Sequence, residues 1–192
     1  MDSDRVNWNH MRKVVALLAL TVAAFAAQLP RKAPEFIIQG LDGKQTLLSS
    51  YRGKTVVLAL MFTTCPHCQK LSGELNGIQR DYAAKGVQVL GAVWDQTAAQ
   101  NLKPFITAFA SGYPVGSSNN NAVLQFLNQP ANDPPFVPIV VMIDKAGMIR
   151  NIHMVTGDTQ NGPEEKFFQA ADASIRAELD KMLKGSALSR NK

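Results

Sequence analysis

The chain has 192 residues, a formal net charge of +5, 46% hydrophobic residues and 18% charged residues. This composition supports a folded core and excludes a generally disordered chain. The basic residues are scattered, without a long run or interleaved aromatic residues, so the charge indicates a solvated surface and argues against nucleic acid as a partner.

The N-terminal residues have the pattern of an export signal. Arg12 and Lys13 precede residues 14–27, which are uncharged and almost entirely apolar. This run is shorter than the roughly 20 residues of a membrane span and has the proportions of a signal-peptide core. We expect residues 1–27 to be a signal peptide or an N-terminal membrane anchor, which would tether the protein through residues 14–27. Either outcome predicts a periplasmic or otherwise extracytoplasmic protein, where disulfide chemistry is expected.

The remaining chain divides into three predicted parts. Residues 28–34 contain two prolines and are predicted to be a linker. Residues 35–184 are predicted to form the folded domain, and residues 185–192 a C-terminal tail. The domain opens with two apolar segments around Asp42-Gly43, a pair that predicts a β-hairpin because glycine adopts positive φ at little cost.

A strand, a helix and a second strand are predicted next. Residues 56–62 are apolar on both faces, as expected of a central strand. Residues 66–85 carry one apolar stripe at helical spacing, and Gly86 is a plausible terminator. Gly73 and Gly77 lower the helix propensity, and close packing is the expected reason for them. Residues 87–94 predict the strand that completes a βαβ unit.

The second half of the domain is less regular at first. Within residues 95–136, Pro104 either begins or kinks a helix. Residues 117–121 are predicted to be a polar loop, and residues 122–127 a short helix. The clearest elements follow: a hairpin formed by residues 139–143 and 148–154, and a closing helix over residues 164–184.

Both cysteines of the chain lie in one four-residue unit, Cys65-Pro66-His67-Cys68. A C-x-x-C between a strand and a helix is typical of a redox-active disulfide. If Cys65 is the N-cap, Pro66 occupies the first helical position, and Cys68 lies one turn deeper on the same face. The free N–H groups of that turn and the helix dipole would then favour a Cys65 thiolate.

This unit predicts thiol–disulfide exchange through a mixed disulfide on Cys65, which Cys68 or a second partner thiol releases. His67 would favour the thiolate if protonated, and is otherwise an exposed polar residue. No cofactor is expected beyond the Cys65–Cys68 disulfide, and no residue is assigned to a metal. The expected partners are protein thiols and disulfides and an upstream redox partner, and the protein is expected to be monomeric.

Pro138 is a second candidate for the site, because it opens the predicted strand 139–143. A cis Val137–Pro138 bond is compatible with a tight approach to the disulfide. An ordinary trans proline at the start of a strand explains the residue types equally well.

The order of these parts resembles the thioredoxin superfamily, and within it the TlpA/ResA-like exported thiol-disulfide oxidoreductases, which are redoxin domains. The resemblance covers about residues 33–184 and implies an α/β thioredoxin-like fold. Such a fold has a central mixed β-sheet flanked by helices, an N-terminal hairpin and a helical insertion before the cis-proline strand. The resemblance also implies that Pro138 is that catalytic-site cis-proline and that Val137 offers backbone hydrogen bonds to a partner. It rests on Ala33-Pro34-Glu35-Phe36, Leu41-Asp42-Gly43-Lys44, Tyr51-Arg52-Gly53-Lys54, Cys65-Pro66-His67-Cys68, Val137-Pro138 and Ile143-Asp144-Lys145-Ala146-Gly147.

Three positions depart from the family pattern. Thr64 stands where these families usually have tryptophan. Ala59 replaces the buried acid of thioredoxins, and Leu71 replaces the glutamate of ResA-like reductases. The replaced acids handle the proton of the resolving thiol in those proteins, so the direction of electron flow stays open. The Pro-His pair is similar to that of DsbA-type oxidants, and this slightly favours oxidation or isomerisation of partners.

A copper-binding metallochaperone of the same fold is the first alternative. Cys65, Cys68 and His153 offer a soft donor set suited to Cu(I). Copper carriers that resemble this outline usually separate their cysteines by three residues, and here two residues lie between them.

A peroxidase is the second alternative. Peroxiredoxins resemble the chain in overall fold but have a threonine three residues before the peroxidatic cysteine. Phe62 stands at that position relative to Cys65, and Cys65 itself stands there relative to Cys68.

Overall fold

The computed structural model describes residues 29–132, 134–154 and 163–188. The predicted signal peptide or anchor, residues 1–27, lies outside these described residues. In the described part of the chain, no helix is both long and apolar enough to cross a membrane. The strands are β1 (Arg31–Lys32), β2 (Ile37–Gln39), β3 (Gln45–Leu47), β4 (Thr55–Met61), β5 (Val87–Val93), β6 (Val115–Ser117), β7 (Ile139–Ile143) and β8 (Met148–His153). The α-helices are α1 (Pro66–Tyr82), α2 (Ala98–Phe109), α3 (Asn120–Leu127), α4 (Pro163–Gln169) and α5 (Ala171–Leu188).

All eight strands join one mixed sheet in the order β1-β8-β7-β4-β5-β6-β2-β3. Strand β4 lies near its middle, parallel to β5 and antiparallel to β7. Every residue of β4 is buried, as the two-sided apolar pattern predicts. The predicted α/β fold with a mixed sheet and flanking helices is confirmed.

Strand β4 supplies two hydrophobic cores because successive side chains point to opposite faces. Val57 and Ala59 pack on the face covered by α1, α2 and α5. Val56 and Leu58 pack on the other face, which α3 and the N-terminal hairpin cover. The carboxyl end of β4, where the cysteines follow, is therefore fixed from both sides.

The two predicted hairpins are present. Strands β2 and β3 pair around Gly43, which has a φ of 76°. Strands β7 and β8 pair around Gly147, with a φ of 77°. The predicted helix 66–85 is also present: α1 ends at Tyr82, and a 3₁₀ turn, Ala83–Lys85, leads to Gly86 with a φ of 81°. Glycine accepts these left-handed angles without steric cost.

The irregular segment 95–136 contains a strand that the sequence pattern does not reveal. Strand β6 is three residues long and lies between β5 and β2. A Cβ atom at Gly116 would lie 2.2 Å from the Gln39 carbonyl oxygen, so the close approach of β2 requires glycine. Pro104 lies inside α2. The predicted polar loop 117–121 is shorter than expected, because Asn119 caps α3 and Asn120 begins it.

The ends of the domain also differ from the sequence prediction. Residues Arg31–Lys32, in the predicted linker 28–34, form β1 and pair with β8. The predicted single helix 164–184 is wrong, since α4 and α5 are separate helices that meet at Ala170. Neither glycine nor proline marks this break, so local propensity could not reveal it. Helix α5 runs on to Leu188, into the predicted tail 185–192.

The glycines of α1 give a test of helix propensity. Gly73 is exposed, and an added Cβ would have no heavy atom within 4 Å, so close packing is not its reason. We expect Gly73→Ala to raise the free energy of unfolding by about 0.5–1 kcal/mol, measured by chemical denaturation. Gly86→Ala is the matched control and should destabilise, because its φ is positive. A destabilised Gly73→Ala variant would contradict this account of α1.

Candidate active site

Cys65 is the N-cap residue of α1, as the sequence predicts. Its backbone is extended (φ −81°, ψ 117°), and its Sγ accepts a hydrogen bond from the Cys68 N–H at 3.3 Å. Pro66 occupies the first turn, where an N–H would have no helical acceptor. The sulfur is partly buried and lies at the end of the helix that carries the positive dipole.

These contacts lower the pKa of Cys65 to about 6. The largest cause is donation by the Cys68 side chain, which outweighs the opposing effect of partial burial. The backbone N–H groups of Cys68 and His67 and the charge of His67 add smaller contributions of the same sign. At a pKa of 6, about nine-tenths of the sulfur is thiolate at pH 7.

Cys68 has the opposite character. Its side chain is fully buried, and burial raises its pKa far above the ordinary thiol range. The adjacent Cys65 sulfur and the charge of Asp95 act in the same direction. The two sulfurs, three residues apart, therefore differ in both access and acidity: one is a partly accessible thiolate and the other an enclosed thiol.

The loop before β7 faces this pair of sulfurs. The Val137–Pro138 peptide bond is cis. The Cys65 Sγ lies 3.9 Å from the carbonyl oxygen of Val137, so the resemblance and the geometry agree on the place of this loop. Pro138 is buried, while Val137 is half-buried and lies at the edge of the site.

A half-buried set of hydrogen bonds around Asp95, which the sequence pattern did not reveal, holds the cysteine turn. The N–H and hydroxyl of Thr63 donate to the two oxygens of Asp95 at 2.8 and 2.9 Å. Gln69 donates to the Thr63 carbonyl oxygen at 2.9 Å. Asp95 follows β5, and the carboxyl ends of the parallel strands β4 and β5 meet at one edge. The predicted βαβ unit places the residues after its two strands at one edge of the sheet, and this is the sequence signal that could have indicated the contact between Thr63 and Asp95.

The remaining predicted residues lie around the cysteines with different exposure. Thr64, Pro66 and His67 are exposed, and Thr63 is the buried member of the turn. Ala59 and Leu71, the positions of the family acids, are both buried in apolar surroundings. The carboxylate whose charge acts on Cys68 is Asp95 instead.

A groove with both apolar and charged lining opens beside Cys65, between α1, the cis-proline loop and α4. Its volume is about 560 Å³. Phe136 is 54% exposed there, although large apolar side chains are usually more buried. Its apolar lining includes Leu71, Phe136, Val137, Pro138 and Phe168, and Lys70, Glu74 and Glu165 add charged groups.

His153 is not available as a third ligand to the cysteines. Its Nδ1 lies 3.1 Å from a Glu164 oxygen, and its Nε2 lies 2.8 Å from a Glu178 oxygen. Within the described residues, no group of three histidine, cysteine or acidic side chains is arranged to hold a metal ion. The copper alternative therefore gains no support from the position of His153.

The fold and the cysteine pair define the protein as a thiol–disulfide oxidoreductase of the thioredoxin superfamily. Comparisons with known proteins agree with this class. The thiol-disulfide oxidoreductase ResA of Geobacillus thermodenitrificans is 28% identical over 158 residues, covering 77% of this chain and 86% of the relative. ResA of Geobacillus kaustophilus is 30% identical over 125 residues, covering 65% of this chain and 67% of the relative. The solution structure of a putative protein disulfide isomerase from Bacteroides thetaiotaomicron shares the fold, with a TM-score of 0.64 and 23% identity. The match covers 86% of this chain and 96% of that structure.

The chain belongs to the AhpC/TSA family, whose model matches residues 29–152. Phe62, which stands where peroxiredoxins have threonine, packs against Trp94 with ring centroids 4.7 Å apart and offers no hydroxyl. Within this family, the C-x-x-C site and the similarity to ResA assign the chain to thiol–disulfide exchange.

The acidity of Cys65 can be measured directly. We expect its alkylation rate in the reduced protein to rise with pH to a plateau, with a midpoint near pH 6, because only the thiolate reacts. In His67→Ala the midpoint should move upward slightly, since His67 supplies only a small part of the effect. A wild-type midpoint near the ordinary value of about 8.5 would contradict the assigned geometry.

Asp95 can be tested with Asp95→Asn, which keeps the size of the side chain and removes its charge. We expect a loss of about 1–3 kcal/mol of unfolding free energy, because the N–H and hydroxyl of Thr63 lose charged acceptors. In a Cys65→Ser background, alkylation of Cys68 should begin at lower pH, since a like charge is gone. Asp42→Asn, in the exposed hairpin turn, is the control, and equal stability of the two variants would contradict this role of Asp95.

Proposed function

We propose that this protein exchanges disulfides with partner proteins outside the cytoplasm, with Cys65 as the attacking cysteine and Cys68 as the resolving cysteine. The observation that supports this assignment most strongly is the contrast between the two sulfurs. Cys65 is accessible and has a pKa of about 6, while Cys68 is enclosed and has a raised pKa. Thiolate is the attacking species, so the partner bond forms at Cys65.

In the oxidising direction, a partner thiolate attacks the Sγ of Cys65 in the Cys65–Cys68 disulfide. That bond breaks, a mixed disulfide forms, and Cys68 leaves and takes up a proton. A second partner thiolate then attacks the partner sulfur of the mixed disulfide and releases Cys65 as a thiolate. The partner loses two electrons and this protein gains them. Reduction of a partner disulfide is the same sequence in reverse.

The favoured direction is oxidation or isomerisation of partners. A Cys65 thiolate that is stabilised in the reduced protein makes the disulfide a stronger oxidant. The carboxylates that would handle the Cys68 proton in related reductases are absent, because Ala59 and Leu71 occupy their positions. Asp95 raises the pKa of Cys68, which slows its departure in oxidation and its attack in reduction alike and so favours neither direction.

The groove beside Cys65 is the proposed contact for the partner. It adjoins Val137 and Pro138 at one end and exposes Phe136. An extended partner segment would place its cysteine at Cys65 and an apolar side chain in the groove. Burial of that side chain is favoured because Phe136 and Phe168 would both lose contact with water.

The N-terminal residues bear on the location of the protein. Arg12, Lys13 and the apolar residues 14–27 support export with a cleaved signal or a membrane tether. An upstream redox partner would then restore the disulfide, and the domain would act as a monomer. Cell fractionation of the full chain would contradict export if the protein stayed in the cytoplasm.

The direction is tested by equilibrating the purified domain with glutathione redox buffers. We expect a potential above about −220 mV, toward the values of disulfide isomerases and DsbA at about −180 and −120 mV. A value near −270 mV, as in thioredoxin, would assign the protein to reduction instead. Cys65→Ser should show no disulfide cycling at all.

The identity of the attacking cysteine is tested by trapping. Cys68→Ser should accumulate mixed disulfides with partner proteins in cells, because nothing within the protein can release them. Cys65→Ser is the matched control and should trap none. Trapping by Cys65→Ser, or rapid peroxide consumption by the wild-type protein, would contradict the proposal.

A further inference from the structure

One wall of the groove is formed by α4, and α4 contacts the sheet through a half-buried ion cluster. His153 is at the end of β8, and its side chain is only 15% exposed. Its two ring nitrogens contact carboxylates on two helices: Glu164 on α4 at 3.1 Å and Glu178 on α5 at 2.8 Å. His153 therefore links three elements through one ring.

A continuous series of ring contacts leads from His153 to the groove. The imidazole stacks on Phe167 with centroids 3.7 Å apart and an angle of 7° between the rings. Phe167 in turn meets Phe168 edge to face at 5.1 Å. Phe168 lines the groove beside Cys65. These contacts connect His153 to the wall of the groove.

The charges around His153 come from the helices. Burial acts to lower its pKa, but Glu178 and then Glu164 outweigh burial, and the net direction is upward. On the sheet side, the residue opposite His153 on β7 is Val140, which carries no charge. Along β8, Asn151 donates to Glu178, and Arg150 pairs with Asp144. Among the described residues, the two glutamates are therefore the charged groups that face the ring.

We propose that His153 is a positioning residue for partner docking: its protonated ring holds α4 against β8 and α5 and so keeps Phe168 in the groove. The proposal rests on the proposed function, since it assigns the groove to protein partners. When the ring loses its proton, one nitrogen can no longer donate and faces a carboxylate. The contact to α4 or α5 then turns from attraction to repulsion, and the groove wall is released.

The sign of the pH dependence follows from the raised pKa. The His153 contacts are fully present below the ordinary histidine value of about 6.5 and are lost as pH rises through the higher folded-state value. The Cys65 thiolate is formed throughout that upper range, because its pKa is about 6. Partner docking should therefore weaken at alkaline pH, where the intrinsic reactivity of Cys65 no longer changes.

The test compares two disulfides that react with the same sulfur. The reduced protein is mixed in single turnovers with 2-hydroxyethyl disulfide, which is too small to need the groove. It is also mixed with an uncharged peptide disulfide that carries phenylalanine beside its cysteine. Between pH 7 and pH 9, we expect the half-saturating peptide concentration to rise about fivefold or more, with the maximal rate unchanged. The rate with the small disulfide should stay at its plateau.

Variants separate a charge effect from a general loss of structure. Glu164→Gln should move the midpoint of the peptide effect to lower pH, because one of the two carboxylates that raise the pKa is neutral. His153→Gln should show weak peptide docking at every pH and normal reaction with the small disulfide. Asp42→Asn, in the exposed turn of the N-terminal hairpin, is the control and should match wild type.

The outcomes distinguish this inference from the function on which it rests. If the peptide and the small disulfide follow one pH profile in wild type and in His153→Gln, the role of His153 is wrong while disulfide exchange stands. If the reduced protein reacts with neither disulfide, the proposed function itself fails. Should His153→Gln not fold, the midpoint of Glu164→Gln decides, and an unchanged midpoint overturns the inference.

Discussion

The chemistry of this protein depends on the contact between Cys65 and Cys68 at the start of α1, where the side chain and the N–H of Cys68 both donate to the Cys65 sulfur. It forms because β4 ends at Met61 and α1 begins at Pro66, which leaves Cys65 as the cap between them. A sulfur in that position receives N–H groups that a helix cannot satisfy internally. The low pKa of Cys65 therefore follows from the place of both cysteines at this boundary between strand and helix, with the Cys68 side chain contributing most.

The surroundings of the turn keep this arrangement rigid. Thr63 is tied to Asp95 at the end of the neighbouring strand and to Gln69 within α1. The same Asp95 charge raises the pKa of Cys68 and so helps to keep the second thiol protonated. One carboxylate thus both fixes the backbone next to the first sulfur and sharpens the difference between the two sulfurs.

Local sequence patterns were sufficient for much of this structure. The apolar run of β4, the stripe along α1 and the Asp-Gly and Gly-containing turns each carry their own periodicity or steric requirement. The predicted start of the helix near Pro66 was also compatible with Cys65 at the N-cap, where the structure places it. These features depend on residues close together in the chain, so they could be predicted before any tertiary contact was known.

The missed features all depend on contacts between distant residues. Strand β6 has three residues and owes its place to the approach of β2 at Gly116. The break between α4 and α5 has no sequence marker. Shortly before it, Phe167 of α4 stacks on His153 of β8. Thr63 lies 32 residues from its partner Asp95, and Glu178 lies 25 residues from its partner His153. Single-sequence periodicity contains no information on such pairings.

The burial of Cys68 beside Cys65 has a consequence for oxidative damage. An oxidant that converts Cys65 to a sulfenic acid leaves the modified sulfur in contact with an enclosed thiol one turn below. Condensation of the two releases water and yields the ordinary disulfide, before further oxygen can add irreversibly to Cys65. Cys68 thereby converts an oxidised Cys65 back to the disulfide of the normal redox cycle.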